Sequence, residues 1–253
     1  MRNQLYQNIM KIISTTIILL LFYYGSKNLN YNWQWYRLVD LVFNRSFEDN
    51  KLLQGFYQTI KLSGISFILS LILGTLSVLL HYSHYKSLFL ISKVYVSAIR
   101  NTPLLIQIFL IYFVISPVFN INETFSAIIA LSTFEGAYIS EILRGGVQSI
   151  DKGQFEASYS LGMTKIQTLI RIITPQVFRI TIPSITGQTV SLVKDSALVS
   201  VIAVNELTMQ AQSLIADSFL SLEIWFFIAT VYLLINLLLS YFSKYLERKM
   251  SRS

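Results

Sequence analysis

Residues 154–179 read QFEASYSLGMTKIQTLIRIITPQVFR, a polar and basic stretch between flanks that are nearly all apolar. Its internal order is helix, turn, helix. Asp151, just before it, can cap a first short helix running to about Leu161, and Gly162 supplies the left-handed stop. Thr164 and Gln167 then match a capping box that starts a second helix. That helix places Ile166, Leu169, Ile170 and Ile173 at i, i+3, i+4, i+7, with Lys165, Gln167, Thr168 and Arg171 on the other face and Pro175 as its end. Periodicity alone fits an amphipathic helix lying on a membrane surface.

The rest of the chain supplies the membrane. Of 253 residues, 53% are apolar and only 13% charged, with mean hydropathy +0.55. Soluble domains carry about 25% charge, so the surface of this chain is lipid. Six stretches have the length to cross a bilayer, at about 9–25, 55–80, 101–119, 124–142, 184–204 and 222–243. The segment 89–101 reads as a short surface helix leading into the third crossing, with Pro103 in that crossing's first turn. With the N-terminus inside, 14 of the 20 Lys and Arg fall in cytoplasmic segments, four (Lys27, Arg37, Arg45, Lys51) fall outside, and Lys61 and Lys194 lie within spans. That asymmetry sets both termini inside, and Trp33, Trp35 and Trp225 then fall at the outer interface. The formal charge of +7 therefore reflects topology in a lipid membrane and not a nucleic-acid partner. The chain has no cysteine, which excludes disulfide and thiolate chemistry.

On this topology the opening stretch sits in a cytoplasmic loop at about 143–183. Glu156-Ala157-Ser158, three residues, Gly162, nine residues, Ile172 and Pro175 resemble the EAA loop of ABC importer permeases, with Ser158 for the second alanine and Thr174 for a leucine. The resemblance covers about 52–249. QGFYQTIKLSGISFILSLILGTL, AIRNTPLLIQIFLIYFV, GAYISEILRGGVQSIDKGQFEAS and LVKDSALVSVIAVNEL are similar, in order, to segments of the polar amino acid branch, the histidine, glutamine and glutamate/aspartate permeases. It implies an all-α integral membrane fold with a five-helix core at 52–249, preceded at 1–51 by one extra helix and a Trp-rich outer segment, in a bacterial inner membrane. It also implies that the loop's first helix, through Gln154, Glu156, Ala157, Ser158, Leu161 and Gly162, docks a cytosolic ATPase dimer. That dimer would hold ATP and Mg. A second permease, identical or related, and an extracytoplasmic amino-acid-binding protein would complete the importer. The chain itself has no G-x-x-x-x-G-K-[ST] loop and is expected to bind no cofactor and to catalyse no reaction.

Ionisable residues inside spans are candidates for function, because burying them is costly unless they are paired or wet. Glu135 in the fourth crossing and Lys194 in the fifth either pair with each other or contact substrate. Asp195 points about 100° away from Lys194 on a helix and needs another partner. Glu141 and Arg144 are i, i+3 neighbours, which fits a local ion pair or a gate. Gln188 is placed, by the same resemblance, where related permeases often hold Glu facing the central cavity. A neutral amide there favours amide or acidic amino acids over arginine and lysine, and cystine or another small polar solute is the alternative. His81 and His84 lack further ligands and read as a wet interfacial pair. A channel or a membrane enzyme is the rival class, but no H-E-x-x-H or nucleophile elbow is present.

The topology has a direct test in this cysteine-free chain. Cysteines introduced at positions 50 and 212 should react with an impermeant thiol reagent from outside, and one at 165 should not. Labelling of position 165 in intact cells would overturn the inside placement of the loop.

Overall fold

The computed structural model describes residues 31–44 and 46–250, with positions 10, 13, 15–17, 20 and 23–25 of the N-terminal stretch. The chain divides into two units, Met1–Arg37 and Leu38–Ser253. In the first, about half of the predicted crossing at 9–25 lies outside the described residues, and the described positions within it are helical. Trp33 and Trp35 stack with ring centroids 5.5 Å apart, and Tyr31 meets Trp33 edge-on at 5.1 Å.

All the regular structure among the described residues is helical. The elements are α1 (Trp35–Phe43), α2 (Lys51–His81), α3 (Lys86–Arg100), α4 (Leu104–Phe119) and α5 (Glu123–Gln148), followed by α6 (Lys152–Ser160), α7 (Lys165–Thr168), α8 (Thr174–Asp195), α9 (Leu207–Ser218) and α10 (Ser221–Met250). Among the described residues, α2, α5 and α10 are long and apolar enough to cross a membrane, and α3 with α4 forms a fourth candidate bent by 110°. The apolar window of α5 is 67% buried against 22% for α10, so α5 is the central post and α10 presents leucines outward.

Lipid tails are as apolar as leucine, so helices in a membrane associate through close backbone approach and interhelical hydrogen bonds. The α2–α5 pair is built this way. Buried Ser66, Ser70, Gly74 and Ser77 on α2 face the buried Ser132, Gly136 and Ser140 stripe of α5. A Cβ on Gly74 would lie 2.7 Å from Ile139 Cγ2 and 2.9 Å from the Gly136 carbonyl oxygen. One on Gly136 would lie 2.9 Å from the Tyr95 hydroxyl. The α3 helix is pinned across this pair, with Tyr95 donating to the Thr133 carbonyl at 2.7 Å and Ser92 to the Ser77 carbonyl at 2.7 Å, and the pair itself is tied by Ser140 donating to Ser77 Oγ at 2.9 Å. Further along, a Cβ on Gly146 would collide with the Thr181 methyl, which brings α8 against α5.

The bend between α3 and α4 has a local cause. Pro103 at the N-cap of α4 cannot continue α3, and the carbonyls at the end of α3 lose their helical partners. The Gln107 amide supplies them, donating to the Ile99 carbonyl at 2.8 Å, the Thr102 carbonyl at 3.1 Å and Thr102 Oγ1 at 2.8 Å. This gives R-x-T-P-L-L-x-Q its physical content.

Three expectations are corrected. Pro175 does not end the loop's second helix. A π turn (Leu169–Ile173) follows α7 and runs straight into α8, with Pro175 in its first turn. The change of register there removes from the ladder the hydrogen bond that proline cannot donate. The apolar stripe is also split: Ile166, Leu169 and Ile170 are exposed, as a lipid-facing stripe requires, whereas Ile173 is buried with Thr168 and Val177. The inward face is set by Ile150, Ile173 and Val177 packing with Phe155 of α6. The span expected at 184–204 is not one helix, since α8 gives way to a 3₁₀ segment (Ser196–Ile202) closed by Ala203 at φ +61°. In addition, Asn50 is buried and caps α2, accepting from the Leu53 amide at 3.1 Å, so the exposed Glu48 is the better labelling position.

The close approach predicts a sharp contrast between two glycines of α2. Gly74→Val forces atoms into the α5 backbone and should cost about 1–3 kcal/mol or more. Gly64 has nothing within 4 Å of a Cβ, so Gly64→Ala should leave stability unchanged or raise it by about 0.4–1 kcal/mol. Thermal unfolding in detergent reads both, and equal midpoints would contradict the packing described.

Candidate functional site

The helix–glycine–helix loop is built as its residues dictate. Asp151 Oδ1 accepts from the Gly153 amide at 2.6 Å and starts α6. At the other end Leu161 is the C-cap and Gly162 follows at φ +76°. The Met163 amide donates to the Ser158 carbonyl at 3.1 Å and the Gly162 amide to the Tyr159 carbonyl at 2.9 Å, which together form a Schellman motif. The capping box closes next, with the Thr164 amide on Gln167 Oε1 at 2.9 Å and the Gln167 amide on Thr164 Oγ1 at 3.3 Å. Two helix ends are thus locked within three residues, and the angle between α6 and α7 is fixed by hydrogen bonds.

The short α6 helix has two faces. Phe155 and Ser158 point inward, and Ser158 spends its hydroxyl on the Gln154 carbonyl at 2.6 Å. Gln154, Glu156, Ala157, Leu161 and Gly162 are exposed, and Leu161 is 82% exposed with no apolar cover. Five of the six residues expected to dock a partner are therefore accessible, and the sixth, Ser158, is buried.

The four residues expected around the cavity separate into three places. Glu135 is 1% exposed at the centre of α5, and both carboxylate oxygens lack a hydrogen-bond partner. The Gln188 amide lies beside it without reaching hydrogen-bond geometry, and Asp195 at the end of α8 is near enough to act on it electrostatically. Lys194 is exposed and forms no ion pair with Glu135 among the described residues. Glu141 belongs to a separate network at the far end of α5. It takes Arg144 through two bonds at 2.7 and 2.9 Å and Arg100 of α3 at 3.1 Å. Arg100 also lies over the Tyr138 ring at 5.2 Å. The local pair was legible from i, i+3 spacing, whereas Arg100 required the bend.

A second polar centre escaped the sequence reading. Glu206 is fully buried and caps α9, accepting from the Met209 amide at 2.8 Å and from the Tyr232 hydroxyl at 2.9 Å. Thr59 of α2 accepts from the Leu207 amide at 3.0 Å and lies 3.5 Å from the same carboxylate. Burial pushes the Glu206 carboxyl upward from its ordinary value, and bonds from Thr208, Met209 and Tyr232 oppose that. The centre ties α2, α9 and α10 together, and the only sequence signal was an acidic residue directly before a helix.

Residues 66–252 match the family of binding-protein-dependent transport system inner membrane components. The L-cystine transport system permease protein TcyB of Bacillus subtilis (strain 168) is 43% identical over 201 residues, covering 78% of this chain and 86% of that protein. The glutamine transport system permease protein GlnP of Escherichia coli (strain K12) is 40% identical over 163 residues, covering 63% and 74%. Among solved structures, an amino acid ABC transporter with histidines superposes with TM-score 0.78 at 29% identity, over 87% of this chain and all (100%) of that one.

Glu135 gives this site its test. A buried polar group without a partner costs about 1–3 kcal/mol, which a leucine of similar volume would not incur. Glu135→Leu should therefore raise the thermal unfolding midpoint. A fall in the midpoint would mean that Glu135 has a structural partner.

Proposed function

The chain belongs to the family of binding-protein-dependent transport system inner membrane components, and from that premise we propose that it is the permease subunit of an ATP-driven importer of polar amino acids. It is a multi-pass membrane protein of the amino acid ABC permeases. The proposal adds the energy source, the partners and the substrate class. The observation that carries it is the loop: a short helix, turned by Gly162, that leaves Gln154, Glu156, Ala157 and Leu161 exposed. Such a surface suits a cytosolic ATPase dimer carrying ATP and Mg, with both termini and this loop inside, six crossings, a second permease alongside and a solute-binding protein outside.

The fold gives the loop a route to the centre. Pressure on α6 bears on Phe155 and through it on Ile173 and Val177. These lie on the continuous run from α7 through the π turn into α8, and α8 carries Gln188 and Asp195. A tilt of that rod against α5 changes the spacing of Gln188 and Asp195 from Glu135. Binding that pushes the loop in one nucleotide state and releases it in another would bias two arrangements of this group, which is what coupling requires.

The same group bears on substrate. Two carboxylates, Glu135 and Asp195, favour an α-ammonium group and disfavour an acidic side chain, while the Gln188 amide donates and accepts. A neutral polar amino acid, with glutamine-like amides foremost, fits better than the acidic substrates that Gln188 alone allowed. Cystine is the second reading, favoured by the 43% identity to the cystine permease and by its two α-ammonium groups.

Alteration of the loop should uncouple without unfolding. Gly162→Val forces a β-branched residue into the left-handed region, a strain of about 1–3 kcal/mol. Gly162→Asn accepts that backbone, since no atom lies within 4 Å of a Cβ there. Gly162→Val and Glu156→Lys should reach the membrane in normal amounts yet lose co-purifying ATPase and amino acid uptake by cells, and Gly162→Asn should retain both. Normal uptake in the first two variants would remove the coupling role.

A further inference from the structure

Where α2, α3 and α5 end together, a cavity of about 370 Å³ opens among His81, Lys93, Ser97, Arg100, Asn101 and Arg144, with Glu141 in its wall. We propose that this cavity binds the phosphate of an anionic phospholipid headgroup. The chemistry is that of an anion site. Three cations, Lys93, Arg100 and Arg144, line the cavity with one carboxylate, which pairs with the two arginines, and Lys93 forms no ion pair among the described residues. Glu141 occupies two guanidinium nitrogens of Arg144 and one of Arg100, so both forks keep free N–H donors. Those donors are held in place, Arg144 by its bidentate pair and Arg100 by Glu141 and the Tyr138 ring. Ser97 and Asn101 add neutral polar groups to the rim.

The neighbouring face of α3 selects a lipid over a free anion. Leu90, Ile91 and Val94 are each more than half exposed, at 56, 57 and 57%. At about 100° per residue they form an apolar strip directly beside the strip of Lys93, Ser97 and Arg100. A phospholipid placed with its phosphate in the cavity lays its acyl chains along that strip, whereas a soluble phosphate leaves it uncovered. The surplus of Lys and Arg on this side sets the cavity at the inner leaflet, where basic pockets between spans meet anionic headgroups. The inference needs this orientation but not any particular transported substrate, so it stands or falls apart from the import function.

Native mass spectrometry of the purified full-length chain in mild detergent tests it. With added phosphatidylglycerol or phosphatidylcholine, the wild type should retain the anionic lipid at least about fivefold more than the zwitterionic one. Lys93→Glu and, independently, Ser97→Asp should erase that preference, Lys93→Arg should keep it, and Lys244→Glu, outside the cavity, should leave it intact. Equal retention of the two lipids by the wild type would overturn the proposal. So would a Lys93→Glu protein that behaves like Lys244→Glu, or complete displacement of phosphatidylglycerol by millimolar inorganic phosphate.

Discussion

At Gly74 and Gly136 the backbones of α2 and α5 pass closer than any side chain would allow, and the rest of the structure hangs from that contact. In a lipid solvent there is no gain in burying leucine against leucine, so close packing and hydrogen bonds must supply the association. Small residues let serines 77, 92 and 140 bond across three helices, and they admit the Tyr95 hydroxyl to the Thr133 carbonyl. With α3 held there, Arg100 reaches Glu141, and the Gln107 amide closes the bend into α4. Without the glycines the bonds that cross from α2 and α3 to α5 would lose their spacing.

Two kinds of acidic group emerge from this frame. The Glu206 and Glu141 carboxylates are saturated with donors and serve as joints, one at each end of the bundle. Glu135 differs, being sealed in the middle of the most buried helix with neither oxygen satisfied. Membrane interiors tolerate such a group only at a cost unless a proton or a ligand neutralises it. The rod of α7, π turn and α8 connects this unsatisfied centre to the exposed α6 surface.

The loop was legible in the sequence because its determinants are local. Asp151, Gly162, Thr164 and Gln167 each act within four residues, and each sits in the structure as the spacing indicates. The helix beyond was misread where a longer-range effect won, since a π turn absorbed Pro175 and packing on Phe155 drew Ile173 inward. The intramembrane charges were found but their grouping was not. Spacing along α5 cannot tell that Glu135 meets Gln188 while Glu141 meets Arg100, because that depends on where α3 and α8 cross it. Glu206 lay outside the reading altogether, since its partners Thr59 and Tyr232 are remote in sequence.

The central claim is that this chain moves amino acids only as part of an ATP-driven, binding-protein-fed assembly. Uptake of radiolabelled glutamine and cystine into proteoliposomes holding the permease and its ATPase measures it directly, with ATP inside and binding protein outside. The account predicts accumulation against a gradient that disappears when either ATP or the binding protein is withheld. Equal flux in the absence of nucleotide would make the chain a passive pathway and contradict the account.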